Sequence, residues 1–152
     1  MGTSFDNLKT FFESIGFCRE ALSLLKKGVE IGIVLDDGTA CALGYTSGKV
    51  AFESRPANNP DVVFTLKSDA VQYICQSQAE DIGDFSILVL RQIKNGLVSL
   101  KVTGGFFSIA TNGYLSIIKL GGKKMWDFLA EHGLSNIFKV TSMIKELIKK
   151  KV

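Results

Sequence analysis

The segment that decides the fold is VEIGIVLDDGTACALGYTSGKVAFE, residues 29–53. Its apolar first part, residues 29–35, is strand-like and ends at Asp36-Asp37-Gly38, a sequence typical of a hairpin turn. A second strand follows this turn, and Ser47-Gly48 leads into a third over Lys49 to Glu53. Because the segments are short and tightly joined, the sequence predicts a three-stranded antiparallel meander.

Two further strands are predicted downstream. Residues Asp61 to Leu66 are rich in β-branched side chains, which favour strands. Residues Leu97 to Val102 alternate between apolar and polar side chains, as expected for a strand with one buried face. The sheet is therefore predicted to contain five strands.

Helices are predicted before and after these strands. Residues 4–27 carry apolar side chains at helical spacing after a cap at Ser4, and form one or two helices. Residues 106–120 are predicted as two short helices, and residues 123–132 and 134–151 as two more.

Two helices are also predicted between the fourth and fifth strands. Ser68 is expected to cap the first, and Asp84 is expected to cap a second over Phe85 to Asn95. The second helix has almost no polar face, so we expect it to be buried on several sides. Without regular alternation of strands and helices, this order predicts an α+β fold.

The composition fits one globular domain that has neither a metal centre nor a catalytic cluster. The chain has 152 residues, 46% of them apolar, and is long enough to bury a core without disulfides. A single histidine, His132, excludes sites that need two imidazoles and leaves no nucleophile–base pair to propose. The three cysteines, Cys18, Cys41 and Cys75, are far apart and fit a reducing compartment in which thiols serve as small apolar groups. We expect no enzymatic activity and no cofactor.

Charge divides the chain into two parts. Residues 1–120 have 11 Lys and Arg against 12 Asp and Glu, whereas residues 121–152 have seven Lys against three acids. The near-neutral body and the small number of arginines argue against a nucleic-acid partner. The sequence predicts a domain over residues 1–121 and a basic, amphipathic helical extension over residues 122–152 that packs on it. No signal-peptide pattern or long apolar run is present, so a cytoplasmic location is expected.

Two stretches in the middle of the chain resemble a known family. The first is PDVVFTLKSDA at residues 60–70, and the second spans residues 85–104 and ends in NGLVSLKVTG. Both resemble the sterol carrier protein type 2 family of lipid-binding domains, and the order of elements is similar over about residues 28–121. The resemblance implies a five-stranded, mainly antiparallel sheet covered by helices, which enclose an apolar tunnel without catalytic residues.

The candidate lipid-binding residues are apolar side chains of the second half of the chain. For any one of them the alternative is ordinary packing in a core. The predicted set is Phe85, Leu88, Val89, Ile93, Phe106, Phe107, Ile109, Leu115 and Ile118.

The tail is the second candidate site. An amphipathic helix there either closes the core of its own domain or docks on a partner protein or an anionic membrane. The predicted membrane-contact residues are Lys139, Lys145, Lys149, Lys150 and Lys151.

Together these features predict non-enzymatic binding and transfer of a hydrophobic ligand in an internal tunnel. The ligands implied are a fatty acid, a phospholipid, a sterol or an isoprenoid, and peripheral contact with an anionic membrane would assist the transfer. The alternative is an accessory or scaffold module that presents a lipid intermediate, such as a quinone precursor, to partner enzymes.

Overall fold

The computed structural model describes residues 3–104 and, beyond them, residues 108, 111–114, 116–117, 119–120, 123, 127–128 and 131. Within this part of the chain the element order is the one that the sequence predicts. The elements are α1 (Ser4–Ser14), α2 (Gly16–Leu22), β1 (Ile31–Leu35), β2 (Ala40–Thr46), β3 (Lys49–Glu53), β4 (Val62–Leu66), α3 (Ser68–Cys75), α4 (Ile82–Lys94) and β5 (Val98–Val102). The helices predicted after Gly104 lie largely outside the described residues.

The strands form one mixed sheet in the order β3-β2-β1-β4-β5. Antiparallel pairing of β1 with β2 and of β2 with β3 confirms the predicted meander. At the centre of the sheet, however, β4 is parallel to β1, and β5 then pairs antiparallel with β4. The sheet is therefore mixed, and the prediction of a mainly antiparallel sheet is wrong.

The parallel pair follows from the connection between β3 and β4. Residues 54–61 form an irregular segment with Pro56 and Pro60, and it carries the chain from one edge of the sheet to the far side of β1. No tight turn links β3 to β4, so nothing local forces an antiparallel hairpin. Side-chain alternation identifies the buried face of a strand but does not identify the neighbour with which that strand pairs.

The main core lies on one face of this sheet, under the helices. Phe52 of β3 is fully buried and Cys41 of β2 is 1% exposed. They pack in one cluster with Leu8 of α1, Leu22 of α2 and Ile74 of α3. The helices thus cover the face toward which alternate side chains of every strand point.

Side chains of α1 also protect the edge strand β3. The backbone N–H of Phe52 donates to Glu13 Oε2 at 3.1 Å, and the Phe52 carbonyl accepts from Lys9 Nζ at 3.0 Å. Lys9 and Glu13 are themselves paired at 2.7 Å. Because unpaired backbone groups on an edge strand invite pairing with another chain, this ion pair closes the β3 edge at Phe52.

Helices begin slightly earlier than predicted. The Thr3 hydroxyl caps α1 by accepting from Asp6 N at 3.1 Å, and Asp81 caps α4 by accepting from Asp84 N at 2.8 Å. Neighbouring residues offered equally good capping side chains, and the cap is the residue whose backbone is still extended when the helix starts. The predicted caps at Ser4, Ser68 and Asp84 are therefore wrong, since all three residues lie inside their helices.

Candidate apolar binding site

Helix α4 carries the largest group of predicted binding residues. Its N-terminus is capped by Asp81, and Arg91 and Lys94 occupy the last turn, where positive charge interacts favourably with the helix dipole. After Asn95 the chain turns at Gly96, which has φ +79° and so adopts a conformation that favours glycine. The apolar residues between these ends are held on a rigid helix.

The apolar side chains of α4 point in two directions. Phe85, Leu88, Val89 and Ile93 pack against the main core. Ile87 and Leu90 lie in a second cluster with Phe128, and Ile93 contacts that cluster as well. The helix therefore has apolar contacts on opposite sides.

Most of these side chains are nevertheless only partly buried. Leu90 is the one apolar side chain of α4 that is buried, at 9% exposed, and the others are half-buried. Helix α4 is thus covered on two sides, as expected, but most of its apolar side chains keep part of their surface exposed. A helix with so many apolar side chains is normally buried. Apolar surface on α4 that remains exposed to water is therefore unusual.

The neighbouring end of the sheet shows the same incomplete burial. Val62 and Phe64 of β4 and Leu100 and Val102 of β5 point to the helix-covered face, yet all four are only partly buried. Helix α4 contacts β5 directly. The partly buried residues of α4, β4 and β5 together define the candidate apolar site.

Aromatic contacts connect this site to the main core. The Phe85 ring stacks on the Phe11 ring with centroids 5.5 Å apart, and it contacts the Phe17 ring at 5.6 Å. Such ring pairs add stability beyond the buried area of each ring. Phe85 therefore fixes the position of α4 relative to α1 and α2.

One polar side chain interrupts the apolar face of α4. Gln92 lies seven residues after Phe85 and four after Leu88, so helical geometry places it on the same face. It is 5% exposed, and its Oε1 accepts no hydrogen bond from the described residues. Buried acceptors of this kind are rare in folded proteins.

A second polar feature holds the chain after β5 against β4. The carbonyl of Asp61 accepts from Thr103 N at 2.8 Å and from Gly104 N at 2.9 Å. The buried Asp61 carboxylate accepts from Asn112 Nδ2 at 2.8 Å. Asp61 therefore connects both stretches of sequence that carry the family resemblance, and it positions Asn112 as well.

Tyr114 lies close to this connection. It is 8% exposed within the main core, and its hydroxyl has no partner among the residues that the structure describes. Burial, and secondarily the charge of Asp61, raise the pKa of Tyr114 far above its ordinary value. The phenol is therefore neutral and has no tendency to act as a base.

The cysteines behave as apolar side chains, as predicted. Burial raises the pKa of Cys18 to about 12, and burial also raises the pKa values of Cys41 and Cys75. A thiol with a raised pKa is a poor nucleophile at neutral pH. Among residues 3–104 and the described positions beyond, no group of three or more His, Cys, Asp or Glu side chains could hold a metal ion.

The structure brings together only part of the predicted site. Phe85, Leu88, Val89 and Ile93 lie on α4 and contact the core. The remaining predicted binding residues, Phe106, Phe107, Ile109, Leu115 and Ile118, and the predicted membrane-contact residues, Lys139, Lys145, Lys149, Lys150 and Lys151, lie outside the described residues.

Sequence reasoning missed Gln92 and Asp61. Gln92 could have been found on a helical wheel, where it falls among Phe85, Leu88 and Val89. Asp61 gives no such signal, because an acid at the start of a strand is ordinarily exposed.

No helix within the described residues is long and apolar enough to cross a membrane. No family model matches the sequence, and no curated protein matches it.

Similar folds occur among solved structures. A UbiJ-SCP2 ubiquinone synthesis protein matches with 14% identity and a TM-score of 0.44, over 76% of this chain and 90% of its own. Sterol Carrier Protein 2 from Yarrowia lipolytica matches with 18% identity and a TM-score of 0.40, over 78% of this chain and 90% of its own. The sec-alkylsulfatase Pisa1 from Pseudomonas sp. matches with 17% identity and a TM-score of 0.40, over 75% of this chain but only 14% of its own. Two of these three structures carry the name of the family that residues 60–70 and 85–104 resemble.

Proposed function

We propose that this protein binds and transfers a hydrophobic ligand without enzymatic chemistry. The ligand is a fatty acyl lipid, a sterol or an isoprenoid, and it is held between α4 and the β4–β5 end of the sheet. The observation that carries this proposal is the incomplete burial of apolar side chains on all three of these elements. A ligand there would remove this surface from water, and each apolar Å² removed is worth about 25 cal/mol.

The energetics of such a site suit transfer. Each CH₂ group gains about 0.8 kcal/mol on leaving water, so a chain of ~16 carbons gains on the order of 10 kcal/mol. A bilayer offers nearly the same gain. An apolar site therefore holds a lipid against water and returns it to a membrane at little net cost, and this exchange needs no ionisable group.

We further propose that residues 122–152 form a basic extension of a lipid-binding domain spanning residues 1–121. Seven Lys against three acids in residues 121–152 support contact with an anionic membrane. Each Lys near such a surface contributes about 1 kcal/mol, an attraction that salt weakens. The five lysines from Lys139 to Lys151 named above would make this contact.

Lipid extraction tests the proposal directly. Purified protein is denatured in organic solvent, released lipids are identified by mass spectrometry, and binding of a pyrene-labelled hydrocarbon is titrated. We expect a co-purifying apolar ligand and saturable binding. A protein that yields no lipid and does not bind the labelled hydrocarbon contradicts the proposal.

Two substitutions on α4 test whether the ligand binds against this helix. Leu88→Asp puts a charge on the partly buried face and should abolish binding. Val89→Phe should fill space that the ligand occupies, so it should weaken binding and leave the melting temperature unchanged. If Val89 instead lay in a filled core, the larger side chain would lower the free energy of unfolding by about 1–3 kcal/mol. Tyr73→Asp on α3, where Tyr73 is 54% exposed, is the matched control and should bind like wild type. Folded Leu88→Asp and Val89→Phe variants that both bind normally would remove α4 from the site.

Deletion of residues 134–152 separates transfer from the alternative role as an accessory module. A carrier should keep its ligand affinity and lose transfer to vesicles that contain phosphatidylserine. An accessory module should instead lose a stoichiometric partner protein.

A further inference from the structure

The buried amide of Gln92 lies at the centre of the apolar face of α4. Phe85, Leu88 and Val89 precede it by seven, four and three residues, and all three pack against the main core. Gln92 is 5% exposed, less than any of these apolar neighbours. Its Oε1 atom is therefore removed from water, on the same face of α4 as the apolar residues of the candidate site.

The Oε1 atom of Gln92 is a buried hydrogen-bond acceptor that receives no donor from the described residues. A buried acceptor without a partner costs free energy of folding, and a leucine of similar size would avoid that cost. A donor supplied by a bound molecule would recover the lost hydrogen bond.

We infer that Gln92 recognises the polar end of the ligand, and that this end is a neutral hydroxyl that donates to Gln92 Oε1. This inference rests on the proposed function, because the ligand must first occupy the apolar site. The ligand class is thus narrowed to apolar molecules ending in a hydroxyl, such as a long-chain alcohol or a sterol.

The charges on α4 favour a neutral head group over an ionised carboxylate. The two cations of the last turn, Arg91 and Lys94, are exposed to solvent, whereas Gln92 is buried. Arg91 lies over the Phe128 ring at 5.5 Å. A carboxylate at Gln92 would face a buried acceptor oxygen, and burying a charge that no donor compensates is costly.

A pair of nearly isosteric probes tests this inference. Dodecan-1-ol and 1-methoxyundecane have equal numbers of heavy atoms, but only the alcohol can donate a hydrogen bond. Their dissociation constants, and that of dodecanoate at pH 8, are measured by displacement of a pyrene-labelled hydrocarbon. Cholesterol and its methyl ether repeat the comparison with a sterol ring system in place of the alkyl chain. The pair in which the alcohol binds more tightly than the ether shows whether the site prefers an alkyl chain or a sterol.

The wild-type protein should bind the alcohol about 2- to 12-fold more tightly than the ether, the range expected for one buried hydrogen bond. Gln92→Leu should reduce this ratio to about one without weakening ether binding, and its melting temperature should equal or exceed that of wild type. Gln72→Leu, at an exposed position of α3, is the control and should preserve the ratio.

The other outcomes each overturn a different statement. Equal binding of alcohol and ether by wild type and Gln92→Leu overturns the inference and leaves the proposed function standing. Tighter binding of dodecanoate that is lost in Gln92→Leu shows that the amide presents its N–H group, and overturns the hydroxyl assignment. Failure of every probe to displace the reporter, in a protein that releases no lipid, overturns the proposed function itself.

Discussion

The two ends of the sheet differ in how completely the helices cover them. At the β3-β2-β1 end, Phe52 is 0% exposed, and Cys41 and Ile33 are 1% and 3% exposed. At the β4–β5 end, Leu66 and Val98 are just as buried, but Phe64 and Leu100 on the same face remain partly exposed. Strands with the same amphipathic alternation thus pack into a closed core at one end of the sheet and are only partly covered at the other.

Two polar sites, one at each end of the sheet, also differ in hydrogen bonding. At the closed end, the Phe52 backbone groups are paired with Lys9 and Glu13 of α1. At the other end, the buried Gln92 acceptor has no partner in the described part of the chain. Most buried polar groups in folded proteins are paired, so Gln92 Oε1 and the Tyr114 hydroxyl of the main core are both exceptions within the described residues.

The largest expected effect is on the closed core. Phe52→Ala removes a ring that stacks on Phe5 at 5.2 Å and contacts Phe12 at 5.4 Å, so it should lower the free energy of unfolding by about 3–5 kcal/mol. Phe64→Ala, the matched change at the other end, should cost about 1–2 kcal/mol because less of that ring is buried. Urea unfolding of both variants measures the difference. Equal losses would show that the two ends of the sheet are equally closed.

An intermediate effect is expected where the chain leaves β5. A Cβ at position 104 would clash with Asp61 Oδ1 and would lie 2.6 Å from Asp61 Cβ, so Gly104→Ala should destabilise the protein by about 2 kcal/mol. Gly16→Ala is the control, since a Cβ there meets nothing within 4 Å and a helix favours alanine. Thermal unfolding of both variants distinguishes a clash from a general intolerance of alanine. A Gly104→Ala protein as stable as wild type would mean that Asp61 moves freely, and the connection between β4 and residues 103–104 would then be weak.

The smallest expected effect is acid weakening of the closed end. Burial raises the pKa of Glu13, but the hydrogen bonds from Lys9 and from Phe52 N–H lower it further, so the net pKa is below the ordinary value of 4.5. The Arg55 guanidinium likewise lowers the pKa of Glu30, which precedes β1. A carboxylate whose pKa is lower in the folded state stabilises the protein at neutral pH, and this contribution is lost as the pH falls through the folded-state pKa.

Acid titration of stability tests this effect. The free energy of unfolding of wild type should fall between pH 6 and pH 3. That of Glu13→Gln should fall less over the same range. The difference should be about 0.5 kcal/mol, because the Lys9–Glu13 pair is partly exposed. Glu20→Gln, at an exposed position of α2, is the control. Identical pH profiles for Glu13→Gln and wild type would show that the β3 edge is held by packing alone.

Local sequence predicted the strands and their buried faces well. The turn at Asp36-Asp37-Gly38 forms as expected, with Leu35 N donating to Thr39 O at 2.9 Å, and β3 has the predicted bounds of Lys49 and Glu53. Val98 of β5 lies on the buried face and Ser99 and Lys101 on the exposed face, as their alternation predicts. These features are set by turn chemistry and by the two-residue repeat of a strand, which act over a few residues.

Pairing and closure could not be predicted in the same way. The parallel contact of β1 with β4 joins residues about 30 positions apart, such as Ile33 and Phe64, and no local pattern specifies it. The apolar sequence of α4 predicted burial on several sides, and the helix does contact clusters on two sides. How much of each side chain is covered, however, depends on elements far away in the chain.

By itself, the sequence determined the strands and helices of residues 3–104 and their order, which face of each strand is buried, and that the thiols serve as packing groups. Each of these features depends on short-range periodicity and composition. Only the tertiary structure decided that β4 inserts beside β1, that α4 remains partly exposed, and that Gln92 is buried with an unpaired acceptor. These features depend on which distant surfaces meet and how completely they fit, and packing between distant segments is a property of the whole chain.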